Sequence, residues 1–237
     1  MALPKLNDAP IYNLTIPSSK KKIKYRPYLV KEEKVLMIAA EQQDTKQAMS
    51  AILNTLINCI QDKIDPNSLT TFDVEYMFTQ VRAKSVGESV DMTMPCSECK
   101  VPNEVSIALD KLTVKVPNDW QTPVQLNEDT TVELKYPSYT DICELDMEAL
   151  EKNQIESTFS IATKCIHAVS HEDERTLAED CTNEELTDFI NSMNAKQFSL
   201  VSDFVNTMPK LKHDIKFDCS SCSAKNKHTL EGINSFF

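Results

Sequence analysis

The chain of 237 residues is 41% hydrophobic and 26% charged, with a formal net charge of −11. That is enough apolar material for a packed core, and too much negative charge for general adherence to a nucleic-acid backbone. It contains two glycines, Gly87 and Gly232, where ordinary usage would give about sixteen. No G-x-G-x-x-G, P-loop or G-x-S-x-G elbow can be written, which argues against the common nucleotide-dependent enzymes. No apolar run reaches the roughly eighteen residues of a membrane span. Residues 1–8 carry no apolar h-region, so a secretory signal is not expected there.

Residues 11–16 alternate, with Tyr12, Leu14 and Ile16 on one face, and residues 23–29 alternate again with Ile23, Tyr25 and Leu29 together. The polar stretch between them ends in Lys20-Lys21-Lys22, so the segment predicts a β-hairpin with a basic tip. Three lysines there read as solubilising edge protection. A helix is expected over 31–43. Asp44 with Gln47 three residues on has capping-box spacing, opening a second helix with Met49, Ile52, Leu53, Leu56 and Ile60 inward. Cys59 lies on or beside that face as a small hydrophobe. After a break at Asp65-Pro66-Asn67, Thr70 caps a third helix over 72–84, and Gly87 ends it. Strands over 89–94 and 104–109 flank Cys96-Ser97-Glu98-Cys99. A hairpin follows over 122–126 and 130–136, with Trp120 packing on the sheet.

From Thr140 the pattern reads as mostly helical. Thr140 caps a helix over 141–152, a helix covers 156–168, and 171–180 is a polar, acidic connection. Thr182-Asn183-Glu184-Glu185 is a capping box opening a helix with Leu186, Phe189, Ile190 and Met193 inward. The last helix carries Phe198, Val201, Phe204, Val205 and Met208, and Pro209 stops it. A strand over 213–217 leads into Cys219-Ser220-Ser221-Cys222, and 227–230 runs out again.

Charge is segregated along the chain. Residues 141–190 hold fourteen Asp or Glu against Lys152, Lys164 and Arg175, whereas residues 1–34 hold eight Lys or Arg against Asp8, Glu32 and Glu33. Opposed charged faces suit protein–protein docking; solvated helix faces and a solvated hairpin tip account for the same pattern.

The eight cysteines fall into two groups. Cys59, Cys143, Cys165 and Cys181 are scattered, in the manner of a reducing compartment. Cys96/Cys99 and Cys219/Cys222 form two C-x-x-C pairs whose flanks overlay at a shift of 123 residues. Asp91 falls on Asp214, Met94 on Phe217, Ser97 on Ser220, Asn103 on Asn226 and Ile107 on Leu230. Each segment is strand, C-x-x-C turn, strand, the outline of a zinc knuckle, and two knuckles supply the four sulfurs of one tetracysteine site. Four thiolates leave no open position, so such a zinc would be structural. The spacer of 119 residues between Cys99 and Cys219 is far longer than that of a short ribbon. Two local disulfides, a redox dithiol and an iron–tetracysteine centre are the rival readings.

No catalytic constellation stands out. His167, His171, His213 and His228 show no H-E-x-x-H spacing, and His167 with His171 reads as a surface pair. A metalloenzyme would need an open ligand position and an acid or base beside it. A zinc-ribbon nucleic-acid accessory is the alternative function, with Lys210, Lys212, Lys216, Lys225 and Lys227 as a modest basic strip. The expected fold class is α+β, one compact domain over 1–237. Its sub-regions are 1–88 (hairpin plus helices), 89–139 (first knuckle and strands), 140–208 (a helical excursion) and 209–237 (second knuckle).

Leu3-Pro4-Lys5-Leu6, Tyr12-Asn13-Leu14-Thr15-Ile16-Pro17 and the run from Ile23 to Lys34, with Met208-Pro209-Lys210-Leu211-Lys212-His213 and Leu230-Glu231-Gly232-Ile233 at the other end, resemble the T4-type phage baseplate hub family. The resemblance implies a late structural subunit or assembly factor of a contractile tail, acting with other hub proteins in the host cytoplasm or within the virion. It implies no catalytic residue and no small-molecule substrate, and the four knuckle cysteines are the only site carried over. Lys100 and Ser223 stand where a knuckle commonly has glycine.

Overall fold

The computed structural model describes residues 9–42, 44–117, 123–146 and 153–232. In chain order the elements begin with β1 (Tyr12–Thr15), β2 (Lys22–Tyr25), α1 (Val30–Glu41), α2 (Thr45–Cys59) and α3 (Thr71–Ser85). Next come β3 (Ser89–Pro95), β4 (Pro102–Ala108), β5 (Val124–Gln125), β6 (Thr130–Leu134), α4 (Tyr139–Cys143) and α5 (Gln154–Cys165). The chain closes with β7 (Ile166–His171), β8 (Glu174–Leu177), α6 (Asn183–Asn191), α7 (Ala195–Asn206), β9 (Lys212–Asp218) and β10 (Lys225–Glu231). Helices mixed with small antiparallel sheets make the class α+β. The chain divides into two units: Met1–Pro66, Phe72–Lys115 and Lys210–Phe237 form the first, Asn67–Thr71 and Val116–Pro209 the second.

In the first unit, β1 and β2 pair with Tyr12 opposite Tyr25 and Leu14 opposite Ile23. The alternation buries Leu14, Ile16, Ile23 and Tyr25. The strand pattern in the sequence reaches Leu29, but β2 ends at Tyr25 and Leu29 is the exposed N-cap of α1. Pro27 explains the early end: it has no N–H to give a ladder. Lys20, Lys21 and Lys22 are exposed as expected, while the start of the turn folds inward. Ser18 donates from both N and Oγ to the buried Asp73 of α3, at 2.9 and 2.6 Å. At the start of α2, Asp44 accepts from the Gln47 amide at 3.0 Å, and the Gln47 side chain donates to the same carboxylate instead of accepting from the Asp44 backbone N–H as a capping box would have it. Cys59 is fully buried at the end of α2.

Two further hairpins, β3–β4 and β9–β10, belong to this unit, each a separate two-stranded sheet. They share one apolar cluster of Ile107, Leu109, Leu112, Leu211 and Ile215 with Ala83 of α3, and Met92, Met94, Phe217 and Leu230 pack against it. At the end of β10, Gly232 has φ 73° and donates to the Leu211 carbonyl at 2.9 Å. A Cβ there would meet the Glu75 carboxylate at 3.4 Å, an ordinary contact, so it is the positive φ that favours glycine.

The second unit corrects the expectation of a mostly helical stretch after Thr140. It contains a four-stranded antiparallel sheet in the order β5-β6-β7-β8. The helix expected over 156–168 stops at Cys165, and β7 begins at once. The acidic connection expected over 171–180 is largely the β7–β8 hairpin, turned at Glu172 (φ 50°). Val132, Leu134, Cys165 and Ile166 meet Ile190, Val201 and Val205 in the core, and Phe159 stacks on Phe198 at 4.1 Å. Ser138, rather than Thr140, caps α4. The Thr182–Glu185 capping box forms as expected. Asn153 and Asn194 cap α5 and α7. Trp120 and residues 147–152 lie outside the described residues.

Candidate metal centre

Each C-x-x-C sits at the turn of a hairpin, and the two turns are built alike. In the first, the Cys96 amide donates to Val101 O at 2.9 Å and the Lys100 amide to Cys96 O at 3.1 Å. In the second, the Cys219 amide donates to Ala224 O at 2.9 Å and the Ser223 amide to Cys219 O at 3.0 Å. Asn103 opposite Met94 and Asn226 opposite Phe217 hold equivalent register positions. Lys100 (φ 60°) and Ser223 (φ 58°) adopt the left-handed conformation that glycine would supply at this place. The departure from the knuckle pattern therefore alters the residue and keeps the backbone.

The hairpins bring the four sulfurs of Cys96, Cys99, Cys219 and Cys222 within 4.8 Å of one another. The short approaches cross between hairpins: Cys96 Sγ to Cys222 Sγ is 3.7 Å and Cys99 Sγ to Cys219 Sγ is 3.5 Å. Cys96 and Cys219 are buried; Cys99 and Cys222 face outward. Amide N–H groups aim at the inner sulfurs. Those of Cys222 and Ser221 draw the Cys219 thiol down to about 6, and those of Cys99 and Glu98 lower Cys96. The Ala224 amide pulls Cys222 the same way, but its neighbouring thiols and desolvation outweigh it and push Cys222 up to about 12. Sulfurs this close cannot all ionise unless a cation balances them.

The donor set fits a tetrahedral thiolate metal. With Zn–S of about 2.3 Å, the sulfurs of a tetracysteine site stand about 3.8 Å apart along each edge; the crossing pairs lie at 3.7 and 3.5 Å. Four cysteines of this cluster could therefore hold one metal ion. The left-handed Ser223 allows a direct check. Ser223→Gly is expected to raise stability by up to about 1 kcal/mol and Ser223→Val to lower it by about 1–2 kcal/mol, because a β-branched residue resists positive φ. Thermal melts of the two variants against the parent protein read the difference.

A family model described as T4 bacteriophage base plate protein matches residues 9–237, nearly the whole chain and both hairpins. The chain belongs to that family. No curated protein and no solved structure matches it. Family membership ties this chain to the base plate of a phage tail, in a structural or assembly role.

The remaining cysteines of the base plate protein behave differently. Burial pushes the Cys59 thiol up to about 11 and that of Cys165 up to about 12, as for inert core thiols. His167 and His171 lie on β7, not at a helix end; both are exposed, and His171 Nδ1 meets Thr130 Oγ1 at 2.9 Å. Four residues along a strand separate them by about 13 Å, too far to share an ion. The basic strip near the second knuckle is partly answered by its own carboxylates. Lys210 and Lys212 pair with Glu231 at 2.7 and 3.1 Å, and Lys227 with Asp214 at 2.8 Å. Sequence reading aligned Asn103 with Asn226 and Ser97 with Ser220 without giving them a role. The only signal was their recurrence at the shift of 123 residues.

Proposed function

We propose that this base plate protein is a non-enzymatic subunit or assembly factor of the central hub, docking on other hub proteins in the host cytoplasm. One structural zinc is held by Cys96, Cys99, Cys219 and Cys222. The observation that carries the reading is the family match over residues 9–237. The donor set supports it: four sulfurs complete a tetrahedral shell and leave no vertex for a water or substrate. The pairing of Lys210, Lys212 and Lys227 with the chain's own carboxylates weighs against the nucleic-acid alternative, which needs unanswered positive charge.

Helix α1 is the docking element. It turns Ala39 inward but buries the Glu32 carboxylate as well and leaves Val35, Met37 and Ile38 exposed; a buried carboxylate beside exposed large apolar side chains reverses the usual sorting. Val35 and Ile38 open onto a groove of about 580 Å³ against Ala51 and Asn54 of α2. Apolar side chains gathered on a surface mark a protein contact, and the occupant is a neighbouring baseplate protein. Tagged protein from infected cells is expected to copurify with hub proteins. Ile38→Glu is expected to lose at least about tenfold of that yield with its melting point unchanged, since a charge at an apolar contact costs more than about 1.4 kcal/mol. A wild-type protein that captures no baseplate component would overturn the reading. Mass spectrometry of purified virions separates subunit from transient factor.

A further inference from the structure

Two asparagines cross from one hairpin to the other. Asn103, on β4, accepts at Oδ1 from the Ser220 amide at 2.8 Å and the Ser220 hydroxyl at 2.9 Å. Its Nδ2 donates to Val101 O at 2.8 Å and lies 3.8 Å from Cys219 Sγ. Asn226, on β10, does the same in reverse. Its Oδ1 accepts from the Ser97 amide and hydroxyl, both at 2.8 Å, and its Nδ2 donates to Ala224 O at 2.9 Å and lies 3.6 Å from Cys96 Sγ. Both side chains are buried. Each uses its two acceptor sites and two donor hydrogens in full. The backbone amide donors fix which end is oxygen, because an N–H cannot face an NH2.

The reciprocity is what separates these residues from ordinary turn caps. Each asparagine braces its own strand through a local carbonyl, then orders the C-x-x-C turn of the other hairpin. The sulfurs they reach, Cys96 and Cys219, are the two buried ones. The hairpins themselves share no strand pairing. We propose that Asn103 and Asn226 are positioning residues that clasp the two knuckles together before any cation arrives, and that each presents an N–H to the inner sulfur of the opposite turn. The proposal rests on the metal reading above for its effect on affinity, and on the hydrogen bonds alone for its effect on order.

The test uses the full chain, stripped of metal under reducing conditions. Amide exchange is read at Ser97 and Ser220, and affinity is read with Co2+, whose visible absorption reports tetrahedral thiolate ligation, and with Zn2+ against a chelator. Metal-free wild type is expected to protect both serine amides. Asn226→Ala is expected to speed exchange at Ser97 while Ser220 stays protected, and Asn103→Ala to do the converse. Each should weaken Co2+ and Zn2+ binding by about 10–100-fold. Asn226→Asp keeps the acceptor for Ser97 but sets a carboxylate oxygen against Cys96. Ser97 should stay protected while affinity falls, which a purely structural role would not produce; this variant carries the test if the alanine form does not fold. Unchanged exchange in both alanine variants, or affinity within about twofold of wild type in all three, would overturn the clasp. If wild type binds neither Co2+ nor Zn2+, the metal reading fails alone. The exchange data then decide the clasp: selective exposure of the opposite serine upholds it and unchanged exchange overturns it.

Discussion

If Cys96, Cys99, Cys219 and Cys222 hold zinc as proposed, replacing Cys219 with serine is expected to abolish zinc binding and to remove at least about 4 kcal/mol of stability, the linkage contribution of a ligand held at a thousand times its Kd. For a chain of this size that lowers the melting temperature by roughly 8–16 °C. The reason is architectural. β3–β4 and β9–β10 are separate two-stranded sheets, and a lone hairpin is marginal in water. They are joined by the apolar cluster around Leu109 and Leu211 and by the hydrogen bonds of Asn103 to Ser220 and Asn226 to Ser97, and a cation on the four sulfurs would join them again. The cation would close a loop with 119 residues between Cys99 and Cys219, and constraining so long a loop takes the most entropy from the unfolded chain. Cys219 is the telling position, since it is buried and its thiolate is already favoured by the Cys222 and Ser221 amides. A chelator should lower the wild-type melt to the same degree and leave the Cys219→Ser melt where it is. Cys181, half-exposed and outside the cluster, is the control, and Cys181→Ser should retain one equivalent of zinc. Elemental analysis with thermal melts reads all four cases. Zinc retained by Cys219→Ser, or a melt within a degree or two of wild type, would count against the site.

The cluster could be read from the chain because its chemistry is local. A C-x-x-C turn needs only its own flanking strands, and the repeat at a shift of 123 residues is visible in side chains alone. What joins the turns was not legible. The bonds from Asn103 and Asn226 span 117 and 129 residues, and asparagine beside a turn reads equally well as a local cap. Helices with oxygen-bearing starts, such as Thr182 and Asp44, announced themselves through bonds made within one turn. β7 did not. Ile166, Ala168 and Val169 follow α5 without a glycine or proline to mark the change. The hairpin that follows turns on Glu172 at positive φ instead of the usual Asn-Gly. Burial decided it: Ile166 fills the core with Val132 and Leu134 of β6, a long-range pairing that periodicity does not encode.

Arg26→Met is expected to destabilise the first unit by about 3–5 kcal/mol, the cost of leaving one member of a buried ion pair without its partner. Glu32 is only 5% exposed, and Arg26 Nη2 lies 3.0 Å from its Oε1. The same guanidinium donates to Pro27 O at 2.9 Å and Asn58 O at 3.1 Å, tying β2, α1 and α2 at one point. Lys31 also reaches Glu32, at 3.2 Å, but its side chain is 72% exposed and replaces little. The pH dependence gives the signature. Desolvation pushes the Glu32 carboxyl up, yet the hydrogen bonds from Arg26, the Leu29 amide and Lys31 together outweigh it, and its folded value lies below the ordinary 4.5. A depressed folded value contributes stability above the ordinary value that is lost as pH falls through the folded value. Without Arg26 the desolvation meets less opposition and the folded value rises, so the variant gains stability relative to wild type as pH falls. Urea unfolding near neutral pH and at about pH 4 should show the gap between the two proteins narrowing toward acid. The double variant Arg26→Met/Glu32→Leu, in which no charge stays buried, should recover most of the loss near neutral pH. A gap that is equal at both pH values would show that Arg26 acts through packing and its carbonyl contacts, and not through Glu32.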